Sequence, residues 1–203
     1  MAVGKCIGDI VGKCNKAYFL GTIAPDVNKL VGRTRRESHF EDSALKDGPN
    51  IKRFIEKYRS YLTRDFEFGY LIHLYTDKYW IEQFYPTFIG SEHIKLLDGT
   101  IIPYAEEKLS RLVYQDYMGV NVSTIEDHAL DLSLFYDEFD FPDTVIEEVS
   151  SNFRTFLDEM GVIIENSKAK QQYLFNQETV NHFIEECSIY ILEKLKEDHI
   201  LLT

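Results

Sequence analysis

Long apolar runs, paired cysteines and a surplus of positive charge are all missing from this 203-residue chain. Without an uninterrupted apolar stretch of about 20 residues, no transmembrane helix is expected. The N-terminal segment is too short and too charged to span a bilayer and lacks a signal-peptide pattern, so with Met1 as the true start a cytoplasmic protein is expected. The three cysteines, Cys6, Cys14 and Cys187, form an odd set without CxxC spacing. That excludes a disulfide framework and a cysteine-rich zinc site, and it leaves Cys6 and Cys14 as buried thiols on an apolar stripe. The net charge of −12 disfavours generic nucleic-acid binding through phosphate neutralisation. A GxSxG elbow and a glycine-rich phosphate loop are both absent. No Pro/Gly/Ser-rich stretch divides the chain, so a single domain over residues 1–203 is expected.

What is present is apolar and helical in period. Hydrophobic residues make up 44% of the chain and aromatics 14%, enough for a sizeable core. Val3, Cys6, Ile7, Ile10, Val11 and Cys14 recur at steps of three and four and predict a helix over 2–14. No Ser, Thr, Asp or Asn cap precedes it, as though the helix began upstream of Met1. A short helix ending at Gly21 follows, and Pro25 leaves Asp26 on a loop. Residues 27–50 carry no sustained period, and a long polar loop of this kind is more often functional than idle. Further helices are predicted over about 50–62, 64–84, 102–116, 142–160 and 177–197, the fourth started by "DFPDTVIEE" with Pro142 near its beginning. Strand alternation is confined to a short "GTIIPY" near residue 100. The fold class is therefore all-α.

On the helix over 64–84, Phe66, Gly69, Tyr70, His73, Asp77, Trp80 and Phe84 share one stripe, so His73 and Asp77 project in the same direction. Gly69 lowers helix stability by about 1 kcal/mol relative to Ala, and its missing side chain leaves room for another backbone or a bound ion. An isolated HxxxD pair reads as a core histidine held by an aspartate. A buried carboxylate nevertheless needs a partner or a metal. By themselves Asp26 reads as a turn residue and His39 as a surface histidine. With His73 and Asp77 they make two imidazoles and two carboxylates, a donor set suited to zinc or another first-row divalent ion.

The ordered motifs "FLGTIAPD", "RRESHF" and "GYLIHLYTDKYW", spanning about residues 5–90, resemble the zinc-dependent phospholipase C family and, more distantly, the P1/S1-type nucleases. The resemblance implies a single all-α multi-helix bundle of that type, with the metal site in about residues 1–90 and helices over about 100–203 completing it. It implies a metal-dependent phosphoester hydrolase in which a divalent metal, zinc first, activates water for attack on a phosphodiester. Asp26, His39, His73 and Asp77 become the metal ligands, Asp77 able to bridge to a second ion and Asp26 also able to accept the proton as catalytic base. The substrate class is a small phosphoester or phospholipid headgroup.

Two departures separate the chain from the family. The family supplies an early histidine to a further zinc, and here none precedes His39; such a ligand would have to lie upstream of Met1. It also supplies downstream histidines to its third ion. His93, His128 and His182 stand in no matching arrangement, and His128 reads as a surface histidine. One or two ions are therefore expected rather than the family's usual three. Arg33, Arg35 and Arg36 stand out in an acidic chain and read either as a solvated loop or, beside a metal, as phosphate contacts; Trp80 is placed to line the pocket. The other reading of the same residues is a non-catalytic descendant of the fold, a metal-stabilised helical interaction protein. Helical HD-type phosphohydrolases require adjacent His-Asp, which this chain lacks. Substrate identity and oligomeric state stay open.

Overall fold

The helical period is realised almost throughout. The computed structural model describes residues 1–30, 35–42, 48–149, 152–168 and 170–201, and its 64% helix against 4% strand makes the class all-α. The helices are α1 (Ala2–Val11), α2 (Lys16–Gly21), α3 (Arg35–Ser38), α4 (Ile51–Tyr58), α5 (Asp65–Tyr79), α6 (Glu106–Asp127), α7 (Ser133–Tyr136), α8 (Phe153–Glu165) and α9 (Gln177–Glu197). A 3-10 turn, Ala24–Leu30, links α2 to α3, and a π-helical turn, Trp80–Phe84, extends α5. The only strands among the described residues are β1 (His93–Lys95) and β2 (Ile101–Pro103), an antiparallel pair with Ile94 opposite Ile102.

Side-chain caps explain several helix starts. The amide oxygens of Asn15, Asn50 and Asn176 accept from Tyr18 N (3.0 Å), Arg53 N (3.0 Å) and Thr179 N (2.9 Å), occupying donors that each first turn leaves open. Gly12, with φ of 75°, ends α1 at Val11, short of the predicted 14. Cys14 consequently lies beyond the helix and is exposed, and Cys6 is only half-buried, which corrects the expectation of two buried thiols.

Helix α5 is the axis of the main core. Every residue from Phe66 to Tyr75 is buried, with α1, α2, α4, α8 and α9 contributing to the same apolar cluster. A second cluster, built on Phe84, Phe88, Ile94, Leu109, Leu112, Leu174 and Phe175, surrounds the π-helical turn and the inner side of α6. None of the described helices is long and apolar enough to cross a membrane.

Two further boundaries differ most from the sequence reading. Helix α6 continues to Asp127, eleven residues past the predicted end. The predicted 142–160 helix begins instead at Phe153, and the segment before it is tied to tertiary partners. Glu67, fully buried on α5, accepts from Thr144 Oγ1 (2.9 Å) and Val145 N (3.2 Å), and Tyr58 Oη accepts from Glu147 N (3.3 Å). Residues 142–146 are thereby held without helix and 147–149 form a turn, with Ile146 in the core. A buried carboxylate left without those donors would cost more than the first turn of a helix yields.

Candidate metal centre

The site is assembled by a close approach of α2 and α5. A Cβ on Gly69 would lie 2.1 Å from the Tyr18 carbonyl oxygen, and one on Gly21 would lie 2.2 Å from that of Phe66. Glycine at both positions lets the two backbones touch, so the room left by Gly69 is filled by another backbone. The contact brings the Thr22 carbonyl to 2.8 Å from His73 Nδ1 and sets the following 3-10 turn, with Asp26, beside α5.

His39 is delivered by a different device. It follows the single turn of α3, whose end is anchored by Tyr70 Oη donating to the Ser38 carbonyl at 2.5 Å. The next residue, Phe40, adopts φ of 57°, a left-handed conformation that costs about 1–2 kcal/mol outside glycine. Its ring is buried among Phe54, Tyr58 and Tyr70 at centroid distances of 5.2, 6.1 and 6.4 Å. That aromatic cage compensates the strain and turns His39 inward, where it is fully buried.

The hydrogen-bond partners assign the tautomers. His73 Nδ1 donates to the Thr22 carbonyl, and His39 Nδ1 donates to the Arg35 carbonyl at 2.9 Å. In the neutral rings the lone pairs are therefore on Nε2. The two Nε2 atoms face each other at 3.2 Å, and two lone pairs in that position require a cation between them, a proton or a metal ion. Asp77 Oδ2 lies 3.2 Å from His39 Nε2 and 3.7 Å from His73 Nε2, and Asp26 Oδ1 lies 3.7 Å from His39 Nε2. The ligand atoms of Asp26, His39 and His73 all fall within 4.8 Å of one another. Donors held 2.0–2.1 Å from a tetrahedral zinc ion are about 3.3 Å apart, so the imidazole pair and Asp77 already stand close to that spacing and Asp26 needs a modest advance. Each ring is also oriented by a main-chain carbonyl on its other nitrogen, the outer-sphere arrangement usual for metal-binding histidine. The residues fit a divalent ion.

Electrostatics reinforce the arrangement. Burial pushes the His39 imidazole down, and the Asp77 contact does not offset it. For His73 burial acts the same way, but the Asp77 and Asp26 carboxylates and the Thr22 carbonyl outweigh it and hold the ring above its ordinary value. Burial would raise Asp77, yet His73, His39 and Arg35 keep it well below the usual carboxylate range. Arg35 is the third kind of group at the site: Nη2 donates to Asp77 Oδ2, Nε donates to Glu41 Oε1 at 3.2 Å, and Nη1 lies 3.7 Å from Asp26 Oδ1. Against this burial, Asp77 and Asp26 hold the guanidinium above its ordinary value. The imidazoles are 0% and 9% exposed whereas the Asp26 and Asp77 side chains keep 29% and 23%, so the site opens to solvent on its carboxylate side.

Asp26, His39 and His73 converge, with Asp77 beside both imidazoles, although His39 alone had read as a surface residue and Asp26 as a loop residue. Of the three arginines, Arg35 reaches the centre, Arg36 is exposed, and Arg33 lies outside the described residues. Trp80 stacks chiefly in the second aromatic cluster, 4.5 Å from Phe84 and 5.7 Å from Tyr117 between ring centroids. Tyr117 of α6 was missed by the sequence reading. Its phenol is pushed up by burial and by the Asp77 and Asp26 carboxylates, and no local pattern marks a side chain that arrives from another helix forty residues on. Thr22 and Glu41 were also missed, since a carbonyl acceptor and a partner of Arg35 leave no motif. His93 and His182 are exposed, and His128 is half-buried with Nδ1 3.9 Å from Cys6 Sγ. A groove of about 620 Å³ lined by Ile51, Arg59, Tyr75, Lys78, Tyr190 and Lys194 contains none of the four ligands. The groove and the converging imidazoles thus lie in different places.

No protein-family model, curated protein or solved structure matches this chain.

Proposed function

We propose that this chain is a metal-dependent phosphoester hydrolase, with an all-α bundle of the phospholipase C/P1 nuclease type. The observation that carries the reading is the pair of buried Nε2 atoms facing each other at 3.2 Å, with Asp77 and Asp26 alongside. Asp26, His39, His73 and Asp77 would hold the ion, zinc in the first instance. When bound, such an ion supplies a Lewis acid for a phosphoryl oxygen and a nucleophilic water near neutral pH. With their Nδ1 atoms bonded to main-chain carbonyls, His39 and His73 would offer Nε2 to the ion. Asp26, whose side chain is the most exposed of the four, would take a proton from an incoming water. Arg35 presents a planar fork for a small phosphodiester or phospholipid headgroup. Trp80 and Tyr117 lie together near Asp77 and limit water on that side.

Elemental analysis of protein purified without chelator, followed by phosphodiesterase assays with added zinc or manganese, tests the reading. Bound zinc with metal-dependent cleavage of an activated phosphodiester is expected. Bound metal without turnover would select the metal-stabilised interaction protein instead, and no metal together with no turnover would overturn the proposal.

A further inference from the structure

Arg35 is in ion-pair contact with three carboxylates at the site. Its Nε, Nη2 and Nη1 face Glu41, Asp77 and Asp26 in turn, so one guanidinium engages three carboxylates, two of them the carboxylates that face the histidines. With neutral imidazoles, three carboxylates against one guanidinium leave two negative charges. A single dication cancels them. A second would bring an uncompensated double charge beside the guanidinium in a partly buried site, where like charges repel strongly.

The supply of donors agrees with the charge. Among the described residues only one group of three or more His, Cys, Asp or Glu side chains converges closely enough to hold an ion, and it is the Asp26, His39 and His73 group. His93 and His182 are exposed, and His128 stands beside Cys6.

We propose that this is a one-ion centre in which Arg35 takes the place of a second metal ion, supplying the second positive charge toward a phosphate. The inference rests on the metal reading of the site. The Arg35 side chain keeps 34% of its surface exposed, beside carboxylates that keep 29% and 23%. Glu41 is then a positioning residue: by accepting from Nε it fixes the plane of the guanidinium, so that the Nη groups point at Asp77 and Asp26.

The test is the number of ions per chain, measured on the full-length protein. After stripping with a chelator and desalting, zinc is titrated against a chromophoric competitor and the saturated protein is submitted to elemental analysis. Wild type is expected to saturate at one tightly bound zinc. Arg35→Asp, which removes the guanidinium and supplies a carboxylate in its place, is expected to rise to two. Two or more zinc ions on the wild type would overturn this proposal and leave the metal reading standing, whereas none at all would overturn both. A single zinc on Arg35→Asp would also count against Arg35 as the substitute for an ion. Should that variant fail to fold, the wild-type ratio still decides.

Discussion

Replacing Gly69 with alanine probes the contact on which the whole centre depends. The new Cβ would sit 2.1 Å from the Tyr18 carbonyl oxygen and 3.1 Å from Thr22 N, and both obstacles are backbone of α2 rather than the movable end of a side chain. A relaxed C···O contact is about 3.3 Å or more, so α2 must retreat by about 1 Å. The His73 Nδ1 bond to the Thr22 carbonyl, 2.8 Å long, then stretches past its useful limit. Overpacking of this kind costs about 1–3 kcal/mol and an orphaned buried donor about 1–3 kcal/mol. The better helix propensity of alanine returns about 1 kcal/mol. A net loss of about 1–5 kcal/mol follows, which for a chain of this length lowers Tm by roughly 2–20 °C. Asp26 follows α2 within the same turn, so zinc affinity should fall at least tenfold as well. Thermal melts by circular dichroism with and without chelator, and a zinc titration, read both effects. Gly119→Ala on α6 is the control: there the Cβ meets the flexible Gln172 side chain at 3.0 Å, and a change of less than about 1 kcal/mol is expected. A Gly69→Ala protein that melts like wild type and keeps its zinc affinity would refute the account of how the site is built.

Three more outcomes follow from single residues. His73→Ala removes one of the two facing imidazoles and should abolish stoichiometric zinc binding; full retention of zinc by the variant would show the ligand assignment to be wrong. Asp116, fully buried, accepts from Tyr173 N at 2.8 Å, Leu174 N at 2.5 Å and Phe175 N at 3.1 Å, holding the segment that leads into α9. Asp116→Asn should destabilise by about 2 kcal/mol with zinc content unchanged, measured by urea denaturation; loss of zinc would tie that segment to the site instead. Burial pushes the Asp65 carboxyl up, but Lys13, 2.5 Å away, and Asn15 outweigh it and leave it below its usual value. A depressed carboxyl stabilises the fold above the unfolded value of about 3.9 and loses that contribution as pH falls through the folded one. Wild type should therefore lose more stability than Asp65→Asn below about pH 4, by less than 1 kcal/mol because the pair is partly exposed, and equal pH dependence of the two urea midpoints would contradict it.

Residue spacing by itself located the long helices and put His73 and Asp77 on one face, because a 3.6-residue period acts within a dozen neighbours. The helix over 177–197 was legible to its boundaries for this reason, and so was the end of α2 at Gly21. Position along the chain could not reveal that His39 is buried, since that depends on Phe40 being caged by Phe54, Tyr58 and Tyr70 from two other helices. Nor could it show that residues 142–149 forgo a helix, because the competing acceptor is Glu67, some eighty positions away. Arg35 and Arg36 are adjacent and identical in type, yet one grips three carboxylates and the other is exposed. A helical step of about 100° separates neighbouring side chains. Local periodicity sets that angle, but only the docking of α3 against α5 decides which of the two faces the metal centre.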